Sequence, residues 1–288
     1  MVFKISYLEA LITKQCNLHC DGCGNYTNYG LKDELSFDQN KEYYRLWSKR
    51  IYPDVFRILG GEPTIHKNLI DYINLAFEIW PESKRQLVTN GAFLSRHPGL
   101  KDTLRQTNTS ILLSFHSNDP KYLESMRPVI AHLKTFKDID VSFGDYRRFT
   151  RLYRGLGSSM LPYEDNNPVE SWKNCLANTC KNIWGGRLWK CPPIMGLKGA
   201  LTHFGIENAP EWAPYLQYDG IGLDSSDEDL KRFLDLGPEG ICNMCPKSQS
   251  PYYKDVYNVN WQRNVERVEW EGEVIDLASF VSSIESAS

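Results

Sequence analysis

Cys16-Asn17-Leu18-His19-Cys20-Asp21-Gly22-Cys23 sets three thiols within eight residues, directly after the β-rich run Ile5 to Thr13. Zinc sites usually draw paired cysteines from two separated knuckles, whereas three closely spaced thiolates suit a cubane cluster held by its corner irons. Three ligands for four irons leave one iron open to chelate the amino and carboxylate groups of a small molecule. The other cysteines also cluster, as Cys175, Cys180 and Cys191, then Cys242 and Cys245. In a chain of 288 residues whose start, MVFKISYLEALIT, lacks the pattern of an export signal, such clustering points to metal sites and a cytoplasmic location rather than to disulfides.

Outward from that loop, short β-rich runs alternate with amphipathic stretches. Strands are expected at Ile5 to Thr13, Val55 to Leu59, Gln86 to Thr89, Ile111 to Phe115 and Ile139 to Phe143. Helices are expected from Ser36 to Arg50, where Ser36 and Gln39 have capping-box spacing, over Leu69 to Trp80 ahead of Pro81, and after Asp119-Pro120. This alternation predicts a parallel sheet with crossover helices, whose ligand sits at the C-terminal ends of the strands. The cysteine trio, Gly60-Gly61-Glu62-Pro63, Asn90-Gly91 and Ser114 to Ser117 each follow a strand and would share one rim.

After about residue 155 helical periodicity fades until Asp227 to Leu236, and Gly185-Gly186 marks a hairpin between Asn182-Ile183-Trp184 and Arg187-Leu188-Trp189. That half reads as a small irregular domain held by metal. With 41% hydrophobic residues the chain can bury a full core, and 33 basic against 36 acidic residues, without a basic stripe, make nucleic acid a poor partner. No stretch approaches the apolar length needed to span a bilayer.

The CxxxCxxC spacing after a first strand, followed by Gly60-Gly61-Glu62-Pro63 after a second, resembles the radical S-adenosylmethionine (SAM) superfamily over roughly the first half of the chain. The resemblance implies an α/β fold, a partial (β/α)6 TIM-like barrel of the radical SAM type. It implies a 4Fe-4S cluster on Cys16, Cys20 and Cys23, with SAM on the fourth iron and cleavage of SAM to a 5′-deoxyadenosyl radical. An electron donor such as flavodoxin or ferredoxin goes with it. Gly60, Gly61, Glu62 and Pro63 would line the groove for the methionyl amino group, and Asn90 and Ser114 would contact the carboxylate or ribose. Where family members place an aromatic before the third cysteine this chain has Gly22, and Tyr26 is the candidate to replace it beside the adenine. His19 reads as a solvent-facing loop histidine.

The order cysteine, Gly186-x4-Cys191, long gap, Cys242-x2-Cys245 resembles the twitch form of the SPASM-like auxiliary-cluster domain, which implies a second 4Fe-4S cluster in a small irregular α+β domain. Five thiols compete for four places: Cys175, Cys191, Cys242 and Cys245 form the preferred set, Cys180 is the competitor, and a four-thiolate zinc site is the alternative. Expected domains are a core over 1–160, an auxiliary domain over 161–255 and an unassigned extension over 256–288. The layout is similar to that of the 2-deoxy-scyllo-inosamine dehydrogenase family, which implies oxidation of a small-molecule substrate with the second cluster accepting an electron. Arg148, with Arg147, Arg151 and Arg154 near it, would stabilise an oxyanion. Alternatives are crosslink or thioether formation on a peptide, epimerisation with Cys180 donating a hydrogen atom, and a non-enzymatic iron–sulfur or zinc module.

Overall fold

The computed structural model describes residues 1–31, 35–175, 177–235 and 237–248, and beyond them only the backbone of three two-residue strands. Apart from those strands, the 256–288 extension lies outside the described residues. The first half alternates as expected: β1 (Phe3–Leu11), α1 (Phe37–Ser48), β2 (Ile51–Leu59), α2 (Leu69–Ile79), β3 (Lys84–Thr89), α3 (Leu100–Gln106), β4 (Thr109–Phe115), α4 (Pro120–Leu133) and β5 (Val141–Asp145). There follow β6 (Arg148–Phe149), α5 (Pro168–Lys173), β7 (Lys181–Trp184), β8 (Arg187–Trp189), α6 (Pro192–His203), α7 (Ala213–Leu216), α8 (Asp227–Leu234) and β9 (Tyr252–Tyr253).

Local chemistry accounts for the helix starts. The Ser36 hydroxyl accepts from Gln39 N at 3.3 Å while Gln39 Oε1 accepts from Ser36 N at 3.1 Å, a reciprocal box that satisfies two otherwise orphaned donors of α1. Asp119 caps α4 by accepting from Lys121 N and Tyr122 N, with Pro120 in the first turn. Helix α3 was not expected: it has seven residues with only Leu100 and Leu104 as apolar anchors, too few to show a period.

β1 to β5 pair in parallel and in sequence order, giving the sheet order β5-β4-β3-β2-β1-β7-β8. Among the described residues the sheet is open, with β5 and β8 at its edges, and five β strands rather than six follow the successive repeats. The sixth parallel strand, β7, lies on the other flank of β1, where Glu9 is level with Asn182. The expected hairpin is present, with Gly185 and Gly186 at φ 63° and 75°, a left-handed pair that glycine adopts without cost. Its insertion into the main sheet was not legible, so the sheet draws strands from both sides of residue 160. The dock is specific: Trp47 Nε1 donates to Gly186 O at 3.0 Å, and a Cβ on Gly186 would meet the Tyr43 ring at 2.7 Å.

One apolar core lies under the helices, where Leu8, Ala10, Ile58, Leu87, Ile111 and Leu113 of the sheet meet Trp47, Tyr72, Trp80, Leu104 and Met126. The later half is not merely a metal-held coil. Helix α6 buries Ile194, Leu197, Ala200 and Leu201 in a second core with Tyr26, Tyr153, Trp212 and Met244. Its periodicity escaped the sequence reading because α6 also buries Pro193, Met195 and Gly196, and a helix covered on most sides carries little amphipathic signal.

Candidate functional site

Strand pairing continues past the ends of β1 and β2. Ile12 N donates to Leu59 O at 2.8 Å, Gly61 N to Thr13 O at 2.7 Å and Glu62 N to Gln15 O at 2.7 Å, so the cysteine loop and the glycine turn are laced together. The glycines serve this lacing. A Cβ on Gly60 would fall 2.7 Å from Thr13 O, and one on Gly61 only 2.2 Å from Gln15 O. The expected close approach of backbone to ligand is therefore preceded by a close approach of backbone to the loop that carries Cys16.

The Glu62 carboxylate is held by hydrogen bonds from the protein itself. The residue is buried, and its carboxylate accepts from Thr64 N at 2.9 Å, Thr64 Oγ1 at 2.5 Å, Thr89 Oγ1 at 2.5 Å and Asn90 N at 2.7 Å. Burial pushes its acidity down, raising the pKa, while these four donors oppose the shift. Pro63 opens the short turn Pro63–Ile65 that supplies Thr64. Asn90 is likewise engaged, donating to Asn17 Oδ1 at 2.9 Å and accepting from Ala92 N at 3.0 Å.

A cavity of about 430 Å³ opens at this rim. Cys16, Cys20, Cys23, Gly60, Gly61, Glu62, Asn90 and Ser114 line it, as do Arg148 and three later cysteines, Cys175, Cys191 and Cys245. Cys16 Sγ accepts from Leu18 N at 3.4 Å, and Cys23 Sγ lies 3.3 Å from Thr27 Oγ1. Burial, then Cys20, raises the Cys16 thiol pKa. His116, which the sequence reading passed over, lies 3.7 Å from Cys20 Sγ through Nδ1 and 2.8 Å from Ser114 Oγ through Nε2. His19 contacts Asn28 O at 3.2 Å through Nδ1.

Tyr26 is not a wall of the cavity. It is buried in the second core, stacked on Tyr29 and Tyr153 with centroids 6.4 and 6.0 Å away, because its left-handed backbone (φ 55°) turns the ring toward α6. Of the four arginines, Arg147 holds Asp145 and Asn118, Arg151 holds the buried Asp21 at 3.2 Å, and Arg154 Nε donates to Pro162 O. Arg148 sits on β6 at the cavity. Also missed were Glu9 and Arg57, charged residues facing the cavity from the middle of parallel strands. The available signal was a charge inside runs otherwise apolar enough for a sheet covered on both faces.

A second, small cavity of about 50 Å³ is lined by Cys175, Cys191, Cys242 and Cys245, with Lys181, Lys190 and Glu239 beside them. Cys180 is among the walls of neither cavity, and the charges of Glu9, Arg57 and Cys175 act on it. Burial pushes the Cys191 and Cys180 thiols up to about 12, and Cys245 is raised by burial and by its three cysteine neighbours. All eight cysteines are free thiols, and among the described residues no three Cys, His, Asp or Glu side chains converge on a single-ion position. Three thiols on the rim loop and four around the second cavity are donor sets of the kind that iron–sulfur clusters use.

Residues 11–139 match the family model described as the Radical SAM superfamily. The chain is 27% identical over 141 residues to a GTP 3′,8-cyclase of Nautilia profundicola, covering 47% of this chain and 40% of that protein. It is 32% identical over 112 residues to a GTP 3′,8-cyclase of Helicobacter pylori, covering 37% and 35%. The matches thus span well under half the length of these curated relatives. A solved structure of BtrN in complex with AdoMet and 2-DOIA is similar at 18% identity, with a TM-score of 0.46, over 96% of this chain and 100% of that one. Among the described residues no helix is long and apolar enough to cross a membrane.

Proposed function

We propose, for a chain whose residues 11–139 belong to the radical SAM superfamily, an enzyme that cleaves SAM reductively at the rim and abstracts a hydrogen atom from a substrate held in the cavity below. The carrying observation is that three thiols on one loop, laced to Gly60-Gly61-Glu62, line one cavity with polar groups from the ends of β3 and β4. When bound, the first cluster with SAM supplies the 5′-deoxyadenosyl radical and the second supplies an electron acceptor. Cys16, Cys20 and Cys23 would hold the first; Cys175, Cys191, Cys242 and Cys245 would hold the second. With its carboxylate engaged, Glu62 fixes the turn, leaving the backbone carbonyls of the glycine turn to receive the methionyl ammonium. Flavodoxin or ferredoxin is the class of reductant that suits this chemistry.

Net oxidation of a small molecule is the finer reading, since the cavity reaches three thiols of the second group. Epimerisation is the second reading, favoured by one observation: Cys180 is a fifth thiol outside the walls of the four-cysteine cavity, which leaves it as the candidate to return a hydrogen atom to a substrate radical. Peptide modification by the same radical belongs to the same test. The protein is reconstituted anaerobically, reduced and given SAM. Formation of 5′-deoxyadenosine, abolished in Cys16→Ala, supports the reading, and its absence from a fully iron-loaded protein refutes it. In D2O, loss of two hydrogens from the product marks oxidation, uptake of one solvent deuterium marks epimerisation, and a new crosslink marks peptide modification.

A further inference from the structure

At the level of Glu9 the strand register sets Glu9 opposite Arg57, and Arg57 opposite Gln86, so one polar row crosses β1, β2 and β3. These residues point away from the helix-covered core. Two residues further up each strand, Leu59 and Val88 give the cavity wall an apolar band. At about 3.3 Å per residue the row lies roughly 7 Å below the strand ends. Glu9 and Arg57 therefore form a charged floor beneath an apolar collar.

A purely structural ion pair in this place would be saturated, because buried charges are costly unless paired and hydrogen-bonded. This one is not. Glu9 is 8% exposed, yet only Tyr7 donates to its carboxylate, at 3.0 Å on Oε1, and the nearest guanidinium nitrogen is 3.9 Å away. Among the described residues Oε2 has no hydrogen-bond donor. Arg57 spends Nε on Gln86 Oε1 at 2.7 Å and rests on the Tyr7 ring at 4.8 Å, so both terminal nitrogens keep donors for an occupant of the cavity. Tyr146, another wall of the same cavity, is close enough for both charges to act on it, and no described residue accepts or donates at its hydroxyl.

We infer that Glu9, Arg57 and Tyr146 are the substrate-recognition floor, and that the substrate is a small polar molecule with a hydroxyl or ammonium donor for Glu9 and an oxygen acceptor for Arg57 and Tyr146. An apolar substrate would strand a desolvated carboxylate and guanidinium, and sites built to pair polar groups reject analogues that lack them. The assignment rests on the reading of the rim as the SAM site, because it is the geometry of one cavity that brings the floor beneath the radical source.

The test uses anaerobic holoenzyme with SAM and a panel of glucosamine, myo-inositol, serine and threonine against toluene, with binding read by saturation-transfer NMR. At least one polar member should bind and toluene should not. Glu9→Gln and Arg57→Gln should each weaken that binding at least tenfold, and Tyr146→Phe by a smaller factor. Iron content and melting temperature should stay at wild-type levels in Tyr146→Phe, which keeps the test informative if a charge variant folds poorly. Binding by no polar member, preferential binding of toluene, or unchanged affinity in all three variants overturns the assignment. Wild-type SAM cleavage is measured separately, so a failed floor is distinguishable from a failed rim.

Discussion

Gly61→Ala should cripple the rim while leaving the rest of the fold standing. The backbone at Gly61 is outside the left-handed region, so an alanine meets no conformational penalty and the effect isolates one contact. Its Cβ would lie 2.2 Å from Gln15 O, 2.6 Å from Gln15 C and 3.0 Å from the Cys16 Cβ. Ordinary contact begins at about 3.5 Å, so the carbonyl must retreat by roughly 1.3 Å. That breaks the 2.7 Å bond from Glu62 N and carries Cys16 with it. Overpacking at about 1–3 kcal/mol plus one lost hydrogen bond at about 1 kcal/mol gives a destabilisation of about 2–4 kcal/mol. A displacement of about 1 Å at the reacting centre costs on the order of 100-fold in rate. Urea unfolding of the apoprotein measures the first quantity, and single-turnover 5′-deoxyadenosine formation per bound cluster measures the second. A Gly61→Ala protein with the wild-type unfolding midpoint and the wild-type rate would show that the lacing has no bearing on cluster placement.

The division of the later cysteines predicts a contrast: Cys180→Ser should keep the full iron and sulfide content, while Cys175→Ser should lose roughly half, the share of one of two four-iron clusters. Equal losses in both would contradict the separation of Cys180 from the four-cysteine cavity. Ser36→Ala removes the capping box of α1 and should lower stability by about 1 kcal/mol in urea titrations, with SAM cleavage per cluster unchanged. A loss of cleavage there would mean that α1 is coupled to the rim, which its place on the outer layer does not suggest.

The cysteine spacing and the glycine turn needed no coordinates to be read, because ligand sets borne on one loop are encoded by local order. The strands of the first half were similarly legible, since β-branched runs and capped amphipathic helices report only on their own neighbourhoods. Tyr26 shows where that stops: beside Cys23 in sequence it belongs to a different core, because a left-handed turn sends its ring toward α6. Gly61 shows it too, since nothing local says that its missing Cβ makes room for Gln15 O.

What the sequence by itself determined is which residues can bind metal and in what order strands and helices follow, both properties of short windows. Only tertiary structure decided that β7 joins the sheet beside β1, that Cys180 stays out of the walls of the four-cysteine cavity, and that Glu9 and Arg57 meet across two strands at the bottom of the larger one. Those pairings join residues tens to more than a hundred positions apart, and they are selected by how much apolar surface the whole packing buries, a quantity no single segment carries.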